Sequence, residues 1–318
     1  MKNELRLKFF PISFFSVILG LTGFTIALQK LEPMMEFPKF SNFSLYFTNF
    51  IFIVLTLVYF AKLIFYRSEV LSEFNHPIKL SFFPAFSISF LLFSVAYMPI
   101  SMPISKILWI IGVILHLILT VMIIKIWIHH SKFEMKHMNP AWFIPAVGNI
   151  IVPVAGVAHS YHEISWFFFS IGLLFWIILL TIFFNRIIFH HPLPEKLLPT
   201  LFILIAPPAV GFISIVKLTG ELNDFSKILY YFALFLVIII LAQIEMFMKI
   251  KYYLSWWAYT FPVSAITIAS ILMFHETKIP FFKFTSLSLF VLLVILLIVL
   301  FYRTIIAIIK KEICIEED

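Results

Sequence analysis

Leu287-Ser-Leu-Phe-Val-Leu-Leu-Val-Ile-Leu-Leu-Ile-Val-Leu-Phe-Tyr-Arg-Thr-Ile-Ile-Ala-Ile-Ile309 carries Arg303 as its one charge. A helix that crosses a bilayer needs about 20 mostly apolar residues, because each adds about 1.5 Å across a hydrocarbon layer about 30 Å thick. This stretch meets that length, and the rest of the chain repeats it. Apolar runs also stand at 10–28, 43–65, 80–97, 107–128, 141–159, 164–184, 198–216, 228–247 and 253–274, separated by charged or Pro/Asn-rich breaks. The runs are continuous and long, not alternating over about 10 residues, which excludes a transmembrane β-barrel. The reading is an all-α integral membrane protein: ten spans in one domain over residues 1–318.

Composition agrees. Of 318 residues 62% are apolar and 12% charged, with a mean hydropathy of +1.06. A soluble domain carries about 45–50% apolar and about 25% charged residues, so this chain lacks the charge to cover a surface facing water. Lys2, Arg6 and Lys8 ahead of the first run resemble a signal peptide, but no small-residue cleavage pattern closes that run, and we read it as a span. Sixteen of the 23 Lys and Arg fall on the N-terminal side of the predicted spans and seven on the other. Basic loops stay in the cytoplasm, so both termini are expected inside. This bias accounts for the net charge of +7, which is no sign of nucleic-acid binding. The single cysteine, Cys314, rules out an internal disulfide or a multi-cysteine metal site.

The ten runs differ in one respect. Each odd-numbered run carries a proline: Pro11, Pro84, Pro145, the Pro207-Pro208 pair and Pro262, at intervals of 54 to 73 residues counting Pro208. The even-numbered runs have none inside them. That is the signature of five repeated helical hairpins, each pairing a kinked helix with a straight one. A proline inside a helix removes a backbone donor and costs about 3 kcal/mol or more, and in lipid the freed carbonyl needs a partner. Kinked helices therefore belong in the interior, and five of them predict an inner ring around a central pore. Small residues recur on their faces: Ser13, Ser16, Gly20, Gly23 and Ala27 in the first, Gly148, Asn149 and Gly156 in the fifth, Ser264, Ala265 and Ala269 in the ninth. Tight helix packing selects the same residues.

The chemistry that is missing also matters. The central turns of the proline-bearing runs hold no ionisable residue; Lys217, His159 and His275 stand at ends. Glu245 and Gln243, near the end of the eighth run, read as the most embedded polar groups, with Glu245 one turn from Lys249. A pathway so built selects by width, weak dipoles and a basic mouth that concentrates anions, not by buried carboxylates. His159 and His162 share a helical face beside Glu163, but no third ligand has a defined spacing, and the doublets His129-His130 and His190-His191 point to different faces. No metal or cofactor site is predicted. Nucleophile-elbow, Gly-rich phosphate-loop and HExxH patterns are absent, so no enzyme is expected.

Four blocks carry a resemblance: Pro11-Ile-Ser-Phe-Phe-Ser-Val-Ile-Leu-Gly-Leu-Thr-Gly23, Asn139-Pro-Ala-Trp-Phe-Ile-Pro-Ala-Val-Gly-Asn149, Ala206-Pro-Pro-Ala-Val-Gly211 and Trp256-Trp-Ala-Tyr-Thr-Phe-Pro262. In this order, across nearly the whole chain, they resemble the tellurite-resistance/dicarboxylate transporter family, which includes the bacterial TehA proteins and the plant slow-type anion channels. The resemblance implies five hairpins around one pore per protomer, assembled as a homotrimer, with a phenylalanine of the ninth helix plugging the pore. Phe261 stands at that place. It also implies a path lined from the odd helices, at Pro11, Ser13, Ser16, Gly20, Pro84, Ser87, Pro145, Gly148, Asn149, Pro208, Gly211, Pro262, Ser264, Ala265 and Ala269. The function so implied is a channel or channel-like exporter for small monovalent anions such as chloride and nitrate. The alternatives are a proton-coupled C4-dicarboxylate carrier of the malate type and a tellurite-related oxyanion transporter.

Overall fold

The computed structural model describes residues 4–36, 38–129 and 132–315, and all regular structure within them is helical. Lys2, His130, Glu316, Glu317 and Asp318, used in the charge and histidine readings above, lie outside the described residues. A short α1 (Glu4–Lys8) leads to α2 (Phe15–Met35) and α3 (Phe40–Phe65). A brief α4 (Arg67–Asn75) precedes α5 (Pro84–Tyr97) and α6 (Met102–His129). The next hairpin is α7 (Phe143–Gly156) with α8 (His162–Phe189). Then come α9 (Ala206–Thr219) with α10 (Asp224–Leu241), a short α11 (Ile244–Lys249), and α12 (Thr260–Thr277) with α13 (Pro280–Ile309).

The hairpins form two layers. The inner helices close on one another in a ring: α2 packs on α5, α5 on α7, α7 on α9, α9 on α12 and α12 back on α2. The outer helices α3, α6, α8, α10 and α13 each lie against the inner helix of their own hairpin. Burial follows the layers. Between 72% and 83% of the apolar windows at Ile12–Met35, Lys79–Tyr97, Glu195–Thr219 and Leu254–Thr277 is buried, against 17% to 39% in the outer helices. All of α7 but Val154 is buried. Large apolar side chains such as Phe50, Ile114, Leu174, Phe235 and Ile298 instead cover the outside, where lipid is the only solvent that suits them.

Nine helical segments among the described residues are long and apolar enough to cross a membrane. The fifth predicted span forms a shorter apolar segment, Pro140–Gly156. The eighth is also shorter than the sequence suggests: α10 stops at Leu241 and the chain turns before α11. Glu245 therefore lies outside the span, is exposed, and makes no ion pair with Lys249 among the described residues. The embedded polar groups are others, described below.

The prolines do not kink continuous helices. Each inner segment begins as a 3-10 turn or helix and becomes α-helical around its proline. The 3-10 pieces are Ile12–Phe14, Lys79–Phe82, Pro140–Trp142, Glu195–Ile205 and Leu254–Tyr259. Pro84, Pro145, Pro207, Pro208 and Pro262 occupy the first turn of their α-helices, and Pro11 caps the first 3-10 turn. First-turn residues have no backbone acceptor within the helix, so the missing N–H costs nothing there, and the fixed φ suits a helix start. The physical content of the repeat is a change of helix type at one level in the ring. Ordinary signals set the other limits. The Asn223 side chain caps α10 by accepting from the Ser226 N–H at 2.9 Å, and Gly220 ends α9 at φ 74°, a left-handed conformation that suits glycine.

Candidate functional site

The ring has a small void on its axis. A cavity of about 30 Å³ is bordered by Ser16 and Leu19 of α2, Ile88 of α5 and Ile144 and Val147 of α7. Ile203 and Ala206 at the start of α9, and Trp257, Ala258, Phe261 and Pro262 at the start of α12, complete the wall. All five inner segments contribute, which places the cavity on the axis, at the level where 3-10 backbone gives way to α-helix. The space accommodates one or two waters or a small stripped ion. No charged side chain borders it, and among the described residues the Ser16 hydroxyl is the one side-chain oxygen on the wall. Ile203, Trp257 and Ala258 lie in the 3-10 segments, and the other wall residues in the first two turns of the α-helices that follow them.

Of the sixteen residues expected at the path, the cavity brings together Phe261, Ser16 and Pro262. Pro11 and Ser13 are half-buried on the approach to α2, where the Ile12 N–H donates to Glu73 Oε1 at 3.3 Å. Gly20 and Gly23 face α12: a Cβ on either would overlap the hydroxyl of Thr260 or Ser264. Ser264 also donates to the Phe261 carbonyl at 2.7 Å, and Ala265 and Ala269 are buried beside it in α12. Pro208 is buried in the first turn of α9, while Gly211 faces Leu229 of α10 at 3.3 Å from its ideal Cβ. These residues let the helices approach closely and do not border the cavity.

Pro84, Ser87, Pro145, Gly148 and Asn149 converge on a group the sequence reading passed over. His116, in the middle of α6, is completely buried. Its Nδ1 lies 2.9 Å from Ser87 Oγ and its Nε2 3.0 Å from the Pro145 carbonyl oxygen. The tautomer consistent with a carbonyl partner carries the proton on Nε2, which donates to Pro145 and leaves Nδ1 free to accept from Ser87. That hydroxyl is shared: Ser87 Oγ also donates to the Pro84 carbonyl oxygen at 2.9 Å, a three-centre arrangement. Asn149 donates to the same Pro145 oxygen at 2.7 Å and to Thr120 Oγ1 at 3.1 Å. Gly148 carries no side chain because the His116 ring occupies that space. The cluster joins α5, α6 and α7 behind the cavity wall. A lone histidine within an apolar run was the available signal.

A second buried group sits at the N-terminal side of the ring. Glu73 of α4 accepts from Lys62 Nζ at 2.8 Å and from the Tyr59 hydroxyl at 3.0 Å, and Lys62 also donates to the Phe10 carbonyl at 2.9 Å. The pair fixes the backbone on either side of Pro11. His159, weighed above as a metal ligand, lies 2.9 Å from Ser105 Oγ through its Nε2.

Five apolar helices closed around an axial cavity, and wrapped by helices with lipid-facing surfaces, make this a polytopic integral membrane protein. Residues 9–305 match the SLAC1 family, described as voltage-dependent anion channels, and the chain belongs to that family. It is 30% identical over 271 residues to the S-type anion channel SLAH3 of Arabidopsis thaliana, covering 82% of this chain and 42% of the plant protein. It is 26% identical over 326 residues to the uncharacterized transporter MJ0762 of Methanocaldococcus jannaschii, covering 94% and 95% of the two chains. The tellurite resistance protein TehA homolog of Haemophilus influenzae is 24% identical over 273 residues, covering 83% and 81%. The chain spans about half the length of the S-type plant relatives SLAH3 and SLAH2.

Proposed function

We propose that the protein is an anion channel or channel-like exporter that passes small monovalent anions, chloride and nitrate among them, along the axis of the inner ring. One observation carries this reading: the axial cavity is walled by hydrocarbon, with the Phe261 ring on its wall and no charged side chain. Such a constriction excludes ions by refusing water, and it conducts once the ring swings aside. With Phe261 displaced, the anion meets the Ser16 hydroxyl, a weak dipole that favours negative charge without holding it, as rapid passage requires. Ten spans forming one transport unit, assembly as a homotrimer, cytoplasmic termini and a place in the bacterial inner membrane belong to the same proposal. The family match and the anion-channel names of its plant relatives support it.

The test is anion current in planar bilayers for the wild type beside Phe261→Ala. Removing the ring is expected to raise chloride and nitrate current by about tenfold or more, as loss of a barrier of about 1.4 kcal/mol does, with no proton gradient needed. If neither protein conducts, and malate uptake driven by a pH gradient saturates instead, the protein is a coupled dicarboxylate carrier and Phe261 is packing. Tellurite uptake under the same gradient points to the oxyanion alternative.

A further inference from the structure

The inner helices end, at the mouth opposite the N-terminal side, with basic groups on a particular face. Lys30 follows the cavity residue Ser16 by 14 positions within α2, and Lys217 follows Ala206 by 11 within α9. At 100° per residue these offsets fall about 40° and about 20° from whole turns, so each lysine stands above a cavity residue on the axial face, about 21 Å and about 17 Å further along. His275 repeats the relation to Phe261 within α12, 14 positions on, with its side chain 74% exposed. The three helices are consecutive in the ring, α12 lying between α9 and α2. Lys30 and Lys217 are exposed. Among the described residues neither makes a hydrogen bond or an ion pair.

A cation near a helix C-terminus is favourable on any face, so position along the helix alone means little. Here two helices turn their cations to the same axis, where they repel. Nearby carboxylates do not neutralise them. Glu32 accepts from the Ser41 N–H and hydroxyl, both at 2.6 Å, Glu276 meets His275 at 3.3 Å, and Asp224 pairs with Lys227. Glu36 and Glu221 stand in the loops that follow. We propose that Lys30 and Lys217, with His275 between their helices, form a binding site for a small inorganic anion at this mouth, a vestibule that loads the axial path. The site rests on reading the ring axis as the anion path. An anion bridging two ammonium groups relieves their repulsion and gains two charge-assisted hydrogen bonds.

Two measurements on the full chain test it, with bromide as the probe. Anomalous scattering from crystals grown in bromide is expected to place the ion between the two ammonium groups, and the peak is lost in K30Q/K217Q. In the Phe261→Ala background, K30Q/K217Q is expected to lower current carried from this mouth by about threefold or more near 10 mM salt. There the Debye length is about 30 Å; near 1 M salt, where it is about 3 Å, the difference closes. Lys30→Arg retains the current. No bromide between the lysines, or a peak that survives K30Q/K217Q, overturns the site, and a bound ion with unchanged low-salt current overturns its loading role. If bromide binds as expected while Phe261→Ala is silent, the anion site stands and the channel reading falls.

Discussion

Gly148 shows how narrowly single residues are constrained in this ring. Its missing side chain is the space of the His116 imidazole, and that imidazole holds the Pro145 carbonyl at the foot of α7. Overpacking a tightly filled interior costs about 1–3 kcal/mol. Gly148→Ala is therefore expected to lower the unfolding temperature in detergent by several degrees, while alanine at the more open Gly211 costs less. An equal effect at both positions would show that the His116 contact is unimportant. His116 was hard to read from sequence for a physical reason. It lies in α6, and its partners are a carbonyl and a hydroxyl with no charge of their own, so no pattern of charges or spacing marks it. Ser87, Gly148 and Asn149 were visible as small and polar residues on inner helices. Which way they face depends on the side chain packed behind them. Phe261 was legible because the Trp256–Pro262 block fixes its place; the Ile88, Ile144 and Val147 walls were not, since apolar residues abound in every helix.

Among the elements, α4 has a role out of proportion to its length. Through Glu73 it grips the Ile12 backbone and, by way of Lys62, the Phe10 carbonyl, so it fastens the start of the first inner helix to its outer partner. The Lys62 and Glu73 side chains are 2% and 8% exposed. Removing one member of a buried pair strands the other, at about 3–5 kcal/mol, whereas replacing both with apolar residues of similar size is often neutral. Glu73→Gln is thus expected to destabilise the protein in detergent melts, and Lys62→Met with Glu73→Leu to recover most of the loss. Additive losses in the double variant would contradict a buried pair. The five inner helices were legible as elements, since their prolines recur in step. Their internal change from 3-10 to α was not, because a proline inside an apolar run looks the same whether it bends a helix or starts one. The end of α10 was misplaced because Ala242–Phe247 is apolar enough to continue the helix, although the chain turns there.

For the whole molecule, the proposed orientation rests on the charge bias of the loops. With the basic loops inside, a cysteine at Arg67 is expected to resist a membrane-impermeant maleimide added to intact cells, in a Cys314→Ser chain, whereas one at Glu221 reacts. The reverse labelling inverts the molecule, and the Lys30 and Lys217 mouth would then open to the cytoplasm. Composition alone made the membrane setting plain, and the two-layer plan followed from which helices carry proline. That the inner helices all run the same way has a further consequence. Many carriers that rock between two states draw on repeats with opposite topology, so that the inward-facing form is nearly the outward-facing form turned over. A ring of five parallel hairpins has no such twin. Along its axis, the apolar cavity lies near the N-terminal ends of the inner α-helices, and Lys30 and Lys217 lie at the other end. On the proposed anion path, an ion entering from one side meets the apolar cavity first, and one entering from the other side meets the lysines first.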